Sequence, residues 1–243
     1  MVIFVIRVTI YNEFVHEKTE ERVKEVYPDG IHNALKKGIE DEEICVKTVT
    51  LDTISELDDE LLNNTDVMIW WGHMAHYKVP DEVAVRVQQA VLRGMGFIVL
   101  HSGHHSKPFK LLMGTPCNLT WREDGDYELV WVCNPAHPIA QGIGRFIKLD
   151  HEETYGEPFS VPEPQELVFI GGYEHGEVFR AGCCWQRGNG KVFYFQPGHE
   201  GHENFYNEYI QKIIKNAVRW AAPVRKRETL DCVHAEIKPE KEN

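Results

Sequence analysis

Histidines and carboxylates gather in short runs along this chain. His73 and His76 sit in WWGHMAH, and His101, His104 and His105 in LHSGHHS. His151, Glu152 and Glu153 share DHEETYG, while His199, Glu200 and His202 share PGHEGH. Asn12, Glu13 and His16 form a further group near the N-terminus. Imidazole titrates nearest neutrality and is the commonest metal ligand, so the available chemistry is proton transfer near pH 7 or coordination of a cation. A single histidine beside a glycine turn is more often a hydrogen-bonded loop residue, and that is the reading for His16, His105 and His202 taken one at a time. His101, His104 and His199 weigh the other way together, because each follows an expected strand. Two imidazolium rings ~6 Å apart at an effective dielectric near 20 repel by roughly 3 kcal/mol, or about two pKa units. A histidine cluster is therefore expected to be neutral at pH 7.

The elements needed to position these residues are legible as an alternation. Val2 to Tyr11, Ile44 to Leu51, Asp66 to Trp71 and Phe97 to Leu100 read as strands. Asp66 to Trp71 is almost continuously apolar, as in a parallel sheet covered on both faces. Helices are expected at about His32 to Gly38, around Leu57, Leu61 and Leu62 with Asp52 or Ser55 as cap, from Pro80 to Gly94, and at Pro108 to Met113. The second half holds strands at Tyr127 to Cys133, Leu167 to Gly171, Val178 to Cys183 and Lys191 to Phe195, then a helix at about Asn204 to Trp220. Strand–helix alternation predicts an α/β, doubly wound, mainly parallel sheet of flavodoxin-like type with right-handed crossovers. Such sheets bind ligands beyond the carboxyl ends of their strands, where the histidine runs fall. The segment Leu100-His101-Ser102-Gly103-His104 enters a tight turn that would expose its central side chain, with Gly103 allowing the turn. Its backbone N–H groups and the following helix could hold an anion or oxyanion.

Composition excludes several partners. The formal net charge is −12, from 38 acidic and 26 basic residues in 243. A field of that sign disfavours nucleic acid, whose affinity comes from Lys and Arg neutralising phosphates, and disfavours anionic membranes. A neutral or cationic small molecule suits it better. No leader or membrane span is legible at the N-terminus, so cytoplasmic residence is the expectation. The six cysteines show no metal-finger spacing, and Cys183 and Cys184 read as small residues of a buried strand. After Pro223 the composition becomes a mixed-charge tail. The division expected is therefore one domain over 1–223 and a frayed tail over 224–243.

FIVLHSGHHSKPFKLLMG resembles the elbow of class I glutamine amidotransferases, where a strand leads into Gly-x-Cys-x-Gly-His-Gln. His101 holds the cysteine's place. VFYFQPGHE resembles the segment carrying that family's catalytic His-x-Glu, with Gln196 and Gly198 at the two catalytic places. The resemblance therefore implies the fold without the glutaminase reaction. A closer likeness is to the ThuA (trehalose-utilisation) family. It is carried by WWGHMAH, LHSGH, NPAHPIAQGIGRFIKLDHEETYGEPF, GKVFYFQPGHE and NAVRWAAP, about residues 2 to 223. It implies a part in the catabolism of trehalose or related disaccharides, alongside dehydrogenases that make keto-sugars.

The combined expectation is a carbohydrate-processing enzyme with a His/Glu site at the carboxyl end of the sheet. Its catalytic candidates are His101, His104, Glu153 and His199, with Glu153 and His104 as acid/base groups and His101 orienting or polarising the substrate. Asn12, His76, Ser102 and Tyr155 are the substrate-binding candidates. A stacking contact from Trp70 or Trp71 is weighed against burial in the core, and core is favoured for at least one. A variant adds zinc or another divalent ion on His73, His104 and His199; no nucleotide cofactor is expected. The expected partner is a small sugar, and the expected assembly a homo-oligomer. The rival expectation is a non-catalytic sugar-binding or regulatory module, favoured by the missing triad.

Overall fold

Apolar β-branched and aromatic runs become strands where both faces can be covered. The structure is a computed structural model that describes residues 5–232. The strands are β1 (Ile6–Asn12), β2 (Ile44–Thr50), β3 (Val67–Trp71), β4 (Gly96–Leu100), β5 (Thr120–Arg122) and β6 (Glu128–Val132). They continue with β7 (Phe146–Leu149), β8 (Thr154–Gly156), β9 (Glu166–Tyr173), β10 (Val178–Arg187) and β11 (Gly190–Phe195). The helices are α1 (His16–Thr19), α2 (Glu21–Val26), α3 (Ile31–Ile39), α4 (Asp59–Asn63), α5 (Asp81–Arg93), α6 (Lys107–Met113) and α7 (Glu208–Ala221).

The main sheet runs β2-β1-β3-β4-β11-β10-β9-β6-β7. From β2 to β11 every pairing is parallel. From β11 outward every pairing is antiparallel. A two-stranded antiparallel ribbon, β5 with β8, stands apart. Helices α3 and α7 pack together over one face, and α5 packs with α4 and α6 over the other. Covering both faces explains why β3 and β4 are buried along their whole length. Trp70 and Trp71 are both core: Trp70 stacks on Tyr11, and Trp71 Nε1 donates to the Gly198 carbonyl. Neither is available to a sugar. Cys183 and Cys184 are buried in β10, as two small strand residues should be.

Three local expectations are corrected. Residues Leu51–Glu56 form a 3₁₀ turn, and neither Asp52 nor Ser55 caps α4; Asp58 does, accepting the Leu61 N–H at 2.8 Å. Asp58→Ala should therefore cost about 1 kcal/mol, read as a lower urea midpoint with an unchanged slope. The last helix begins at Glu208, capped by Asn207, after a separate 3₁₀ turn at Glu203–Tyr206. The chain after Pro223 is not loose from its first residue. The Arg227 N–H donates to the Arg93 carbonyl at 2.8 Å, and Lys226 Nζ to the Thr65 carbonyl at 2.9 Å. The rest of the expected tail, 233–243, lies outside the described residues, as do positions 2–4 of the first expected strand.

Candidate active site

Four parallel strands end beside one another, and the segments leaving β1, β3, β4 and β11 carry most of the singled-out histidines. After β4 the chain enters a 3₁₀ turn at His101–His105. His101 itself adopts φ 49°, a left-handed conformation that a non-glycine residue holds only under local strain. Gly103 is needed for a different reason from the one expected. A Cβ there would lie 3.0 Å from Val99 Cγ1 and 3.1 Å from the Trp70 carbonyl, so its value is close approach to β3.

His101 is completely buried. Its Nδ1 lies 2.9 Å from the Gln196 carbonyl, an acceptor only, so Nδ1 carries a proton and Nε2 faces the site. Nε2 lies 3.0 Å from Glu153 Oε2 and 3.4 Å from the Tyr155 hydroxyl. Gln196 also donates its side-chain amide to the Glu153 carbonyl. The residue standing where an amidotransferase has its histidine thus ties the elbow to the Glu153 segment.

Carboxylates divide the histidines into two electrostatic kinds. Burial pushes His73 down to about 4 and His76 down to about 3, and lowers His104 well below its ordinary value. Burial acts on His101 in the same sense, but Glu153, then Glu152 and Glu200, hold it up at about 9. His16 is raised by Glu200, whose Oε1 lies 2.5 Å from His16 Nδ1. Burial alone would raise Glu200, yet His16, then His73 and His199, keep its carboxyl far below the usual range. The neutral cluster expected from repulsion alone therefore holds for three rings and fails for His101 and His16. Counting histidines without their carboxylates left out the larger effect.

A cavity of about 310 Å³ opens over this cluster. Of the predicted substrate contacts, His76, Ser102 and Tyr155 line it. Asn12 does not: it is buried between Glu17 and His32, and its side-chain oxygen accepts the Phe14 N–H. Of the predicted catalytic set, His104, Glu153 and His199 line the cavity, and His101 lies behind it.

Among the described residues, one group that could hold a cation brings single ligand atoms of His73, His101, His199 and Glu200 within 4.8 Å of one another. His104 is outside it; its Nδ1 lies 2.7 Å from the Cys117 carbonyl, which turns the ring elsewhere. The proposed trio His73, His104 and His199 is therefore not what the fold assembles. Of the four, His73 and Glu200 fit a divalent ion as they stand, and His101 would first have to release the Nε2 proton it shares with Glu153. His73 Nδ1 and Glu200 Oε2 are buried without hydrogen-bond partners. His101 already makes the N–H to carbonyl bond that orients ligating imidazoles. His199 fits less directly, because its Nδ1 accepts the Gly201 N–H at 3.0 Å. Binding through Nε2 would require the ring to shift its proton and give up that bond.

Glu13, Glu152, Glu200 and His16 were visible as residue types but carried no role. Glu13 accepts the N–H groups of Met74 and Ala75, at 2.8 and 3.0 Å, and so fixes the loop bearing His73 and His76. Glu152 accepts from Gly198, His199 and Glu153 N–H groups and from the Asn204 amide, fixing the loop that bears His199 and Glu200. Gly198, at φ 133°, leaves no room for a side chain against the Phe205 ring. The capping-type spacing that reveals helix carboxylates does not exist for loop carboxylates of this sort, so no sequence signal marked them.

The parallel half-sheet, the strained elbow and the site at the strand ends define an α/β protein of the class I glutamine-amidotransferase-like fold with histidine at the nucleophile's place. The chain belongs to the ThuA family, described as trehalose utilisation, whose profile matches residues 7–221. No curated protein sequence matches it. Among solved structures it is similar to a protein of Bacteroides uniformis described as ThuA-like, with 18% identity, a TM-score of 0.61, and coverage of 90% of this chain and 93% of that one. A cytoplasmic protein of Salmonella typhimurium is similar at 12% identity and TM-score 0.60, over 90% of this chain and 100% of that one. A glutamine amidotransferase of Thermotoga maritima is similar at 10% identity and TM-score 0.53, over 88% of this chain and 98% of that one. At such identities these likenesses speak for the fold. Among the described residues no helix is long and apolar enough to cross a membrane.

Proposed function

We propose that this chain is an enzyme of disaccharide utilisation that acts on the keto form of the sugar by moving a proton next to the carbonyl. The observation that carries the reading is the Glu153–His101 contact of 3.0 Å at the base of a cavity lined by further histidines. In this reading Glu153 removes the proton from the carbon beside the carbonyl. The electrons of the broken C–H bond form the carbon–carbon double bond, and the carbonyl oxygen becomes an enolate oxygen. Passage of the neighbouring hydroxyl's proton to the enolate oxygen, with return of the carbon proton at the former carbonyl carbon, completes an isomerisation; departure of a group from the next carbon, with the carbonyl re-formed, completes an elimination. His101 positions Glu153, and the Tyr155 hydroxyl lies close enough to meet the oxygen as its charge develops. His104 gives its Nδ1 proton to the Cys117 carbonyl, so its Nε2 is an acceptor for a sugar hydroxyl.

A divalent ion on His73, His101, His199 and Glu200 would supply a Lewis acid for the carbonyl, and His101 Nε2 would then serve the ion in place of Glu153. Glu153→Gln keeps the size of the side chain and removes the base. It should lower turnover of a keto-disaccharide by about 10²- to 10⁴-fold with a much smaller change in binding. Turnover retained within a few-fold would reject Glu153 as the acid/base group.

A further inference from the structure

We propose that Trp121 forms a second sugar subsite at the mouth of the cavity, stacking the outer ring of a disaccharide whose inner ring lies against Tyr155. This rests on the carbohydrate reading above and adds where each ring sits. Trp121 is 68% exposed and lines the cavity, so its ring face is open to a ligand there. Its strand β5 pairs antiparallel with β8, and Trp121 lies directly opposite Tyr155 in the register. Opposed residues of an antiparallel pair point to the same face. Both side chains therefore face the cavity, the buried Tyr155 beside His101 and Trp121 nearer solvent.

The cavity, at about 310 Å³, is lined by Tyr155 and Trp121 together. An inner ring against Tyr155 leaves the indole face for the ring that follows it outward. Glu123, two residues further along the ribbon, also lines the cavity and is held by His202 at 3.1 Å. Its carboxylate can accept hydroxyl groups at the edge of that outer ring. An apolar platform flanked by a carboxylate suits the apolar face and hydroxyl rim of a pyranose.

The test is calorimetric titration of the whole chain with trehalose and, separately, with glucose. Wild-type protein should bind trehalose more tightly than glucose. Trp121→Ala should weaken trehalose binding by about tenfold or more and leave glucose binding within twofold. Trp121→Phe should restore most of the loss, since a ring face is what matters. Trehalose affinity unchanged in Trp121→Ala, or an equal fall for both sugars, would overturn the outer subsite and leave the carbohydrate reading standing. Wild-type protein that binds neither sugar would overturn the outer subsite, while the proton-transfer reading stands or falls with Glu153→Gln on the keto-disaccharide.

Discussion

Replacing Glu152 with alanine should remove a large part of the protein's stability by leaving four hydrogen-bond donors without their acceptor. The carboxylate is fully buried and accepts from Gly198 N at 2.6 Å, Glu153 N at 2.9 Å, His199 N at 3.1 Å and Asn204 Nδ2 at 2.9 Å. Each buried donor left without an acceptor costs about 1–3 kcal/mol. Allowing water from the cavity to satisfy some of them, the loss should still be at least about 4 kcal/mol, a large part of a typical domain's stability. Glu152→Gln keeps the volume but turns N–H groups toward donors, and should lose about half as much. For contrast, Glu56, paired with Lys47 at 2.9 Å on the surface, should cost under about 1 kcal/mol when replaced by alanine. Urea unfolding of the three variants decides this. Glu152→Ala and Glu56→Ala with equal midpoints would show that the His199 loop holds itself.

The second large effect concerns the cation. If His73, His101, His199 and Glu200 are the ligands, the purified protein should take up one zinc or similar divalent ion per chain. His73→Ala and Glu200→Gln should each weaken it by at least about 100-fold, since even outer-shell partners of a metal are worth about 10- to 100-fold. His104→Ala should change it little, because that ring is turned to the Cys117 carbonyl. Calorimetry with zinc separates the cases. Equal losses for His104→Ala and His73→Ala, or no saturable binding to the wild type, would remove the ion from the account.

The parallel half of the fold was legible because β3 and β4 are continuous apolar runs ended by Gly72 and by the turn at His101, β1 and β2 are rich in β-branched residues, and the longer helices have periodic apolar faces. The antiparallel extension was legible only in part. Thr120–Arg122, Phe146–Leu149 and Thr154–Gly156 are short strands without a run of apolar residues, so nothing local marked them. Yet β5 and β8 are the elements that carry Trp121 and Tyr155 to the cavity. At the site, the position after each strand found the histidines, because topology fixes where strand ends meet. It could not tell which way a ring points. His104 and His101 are three residues apart, and only their hydrogen bonds, to the Cys117 and Gln196 carbonyls, decide which one faces Glu153. Asn12 shows the same limit: it sits at a strand end, but its side chain is held by Glu17 and His32.

The measurement closest to the central claim is the uptake of solvent deuterium by a keto-disaccharide incubated with the protein in heavy water and followed by proton resonance. Proton removal beside the carbonyl by Glu153 predicts loss of the signal at that carbon with wild-type protein. It predicts loss slowed at least about 100-fold with Glu153→Gln. A sugar that binds without exchange, or that exchanges equally with both proteins, would contradict the account and leave a binding module on an amidotransferase-like scaffold.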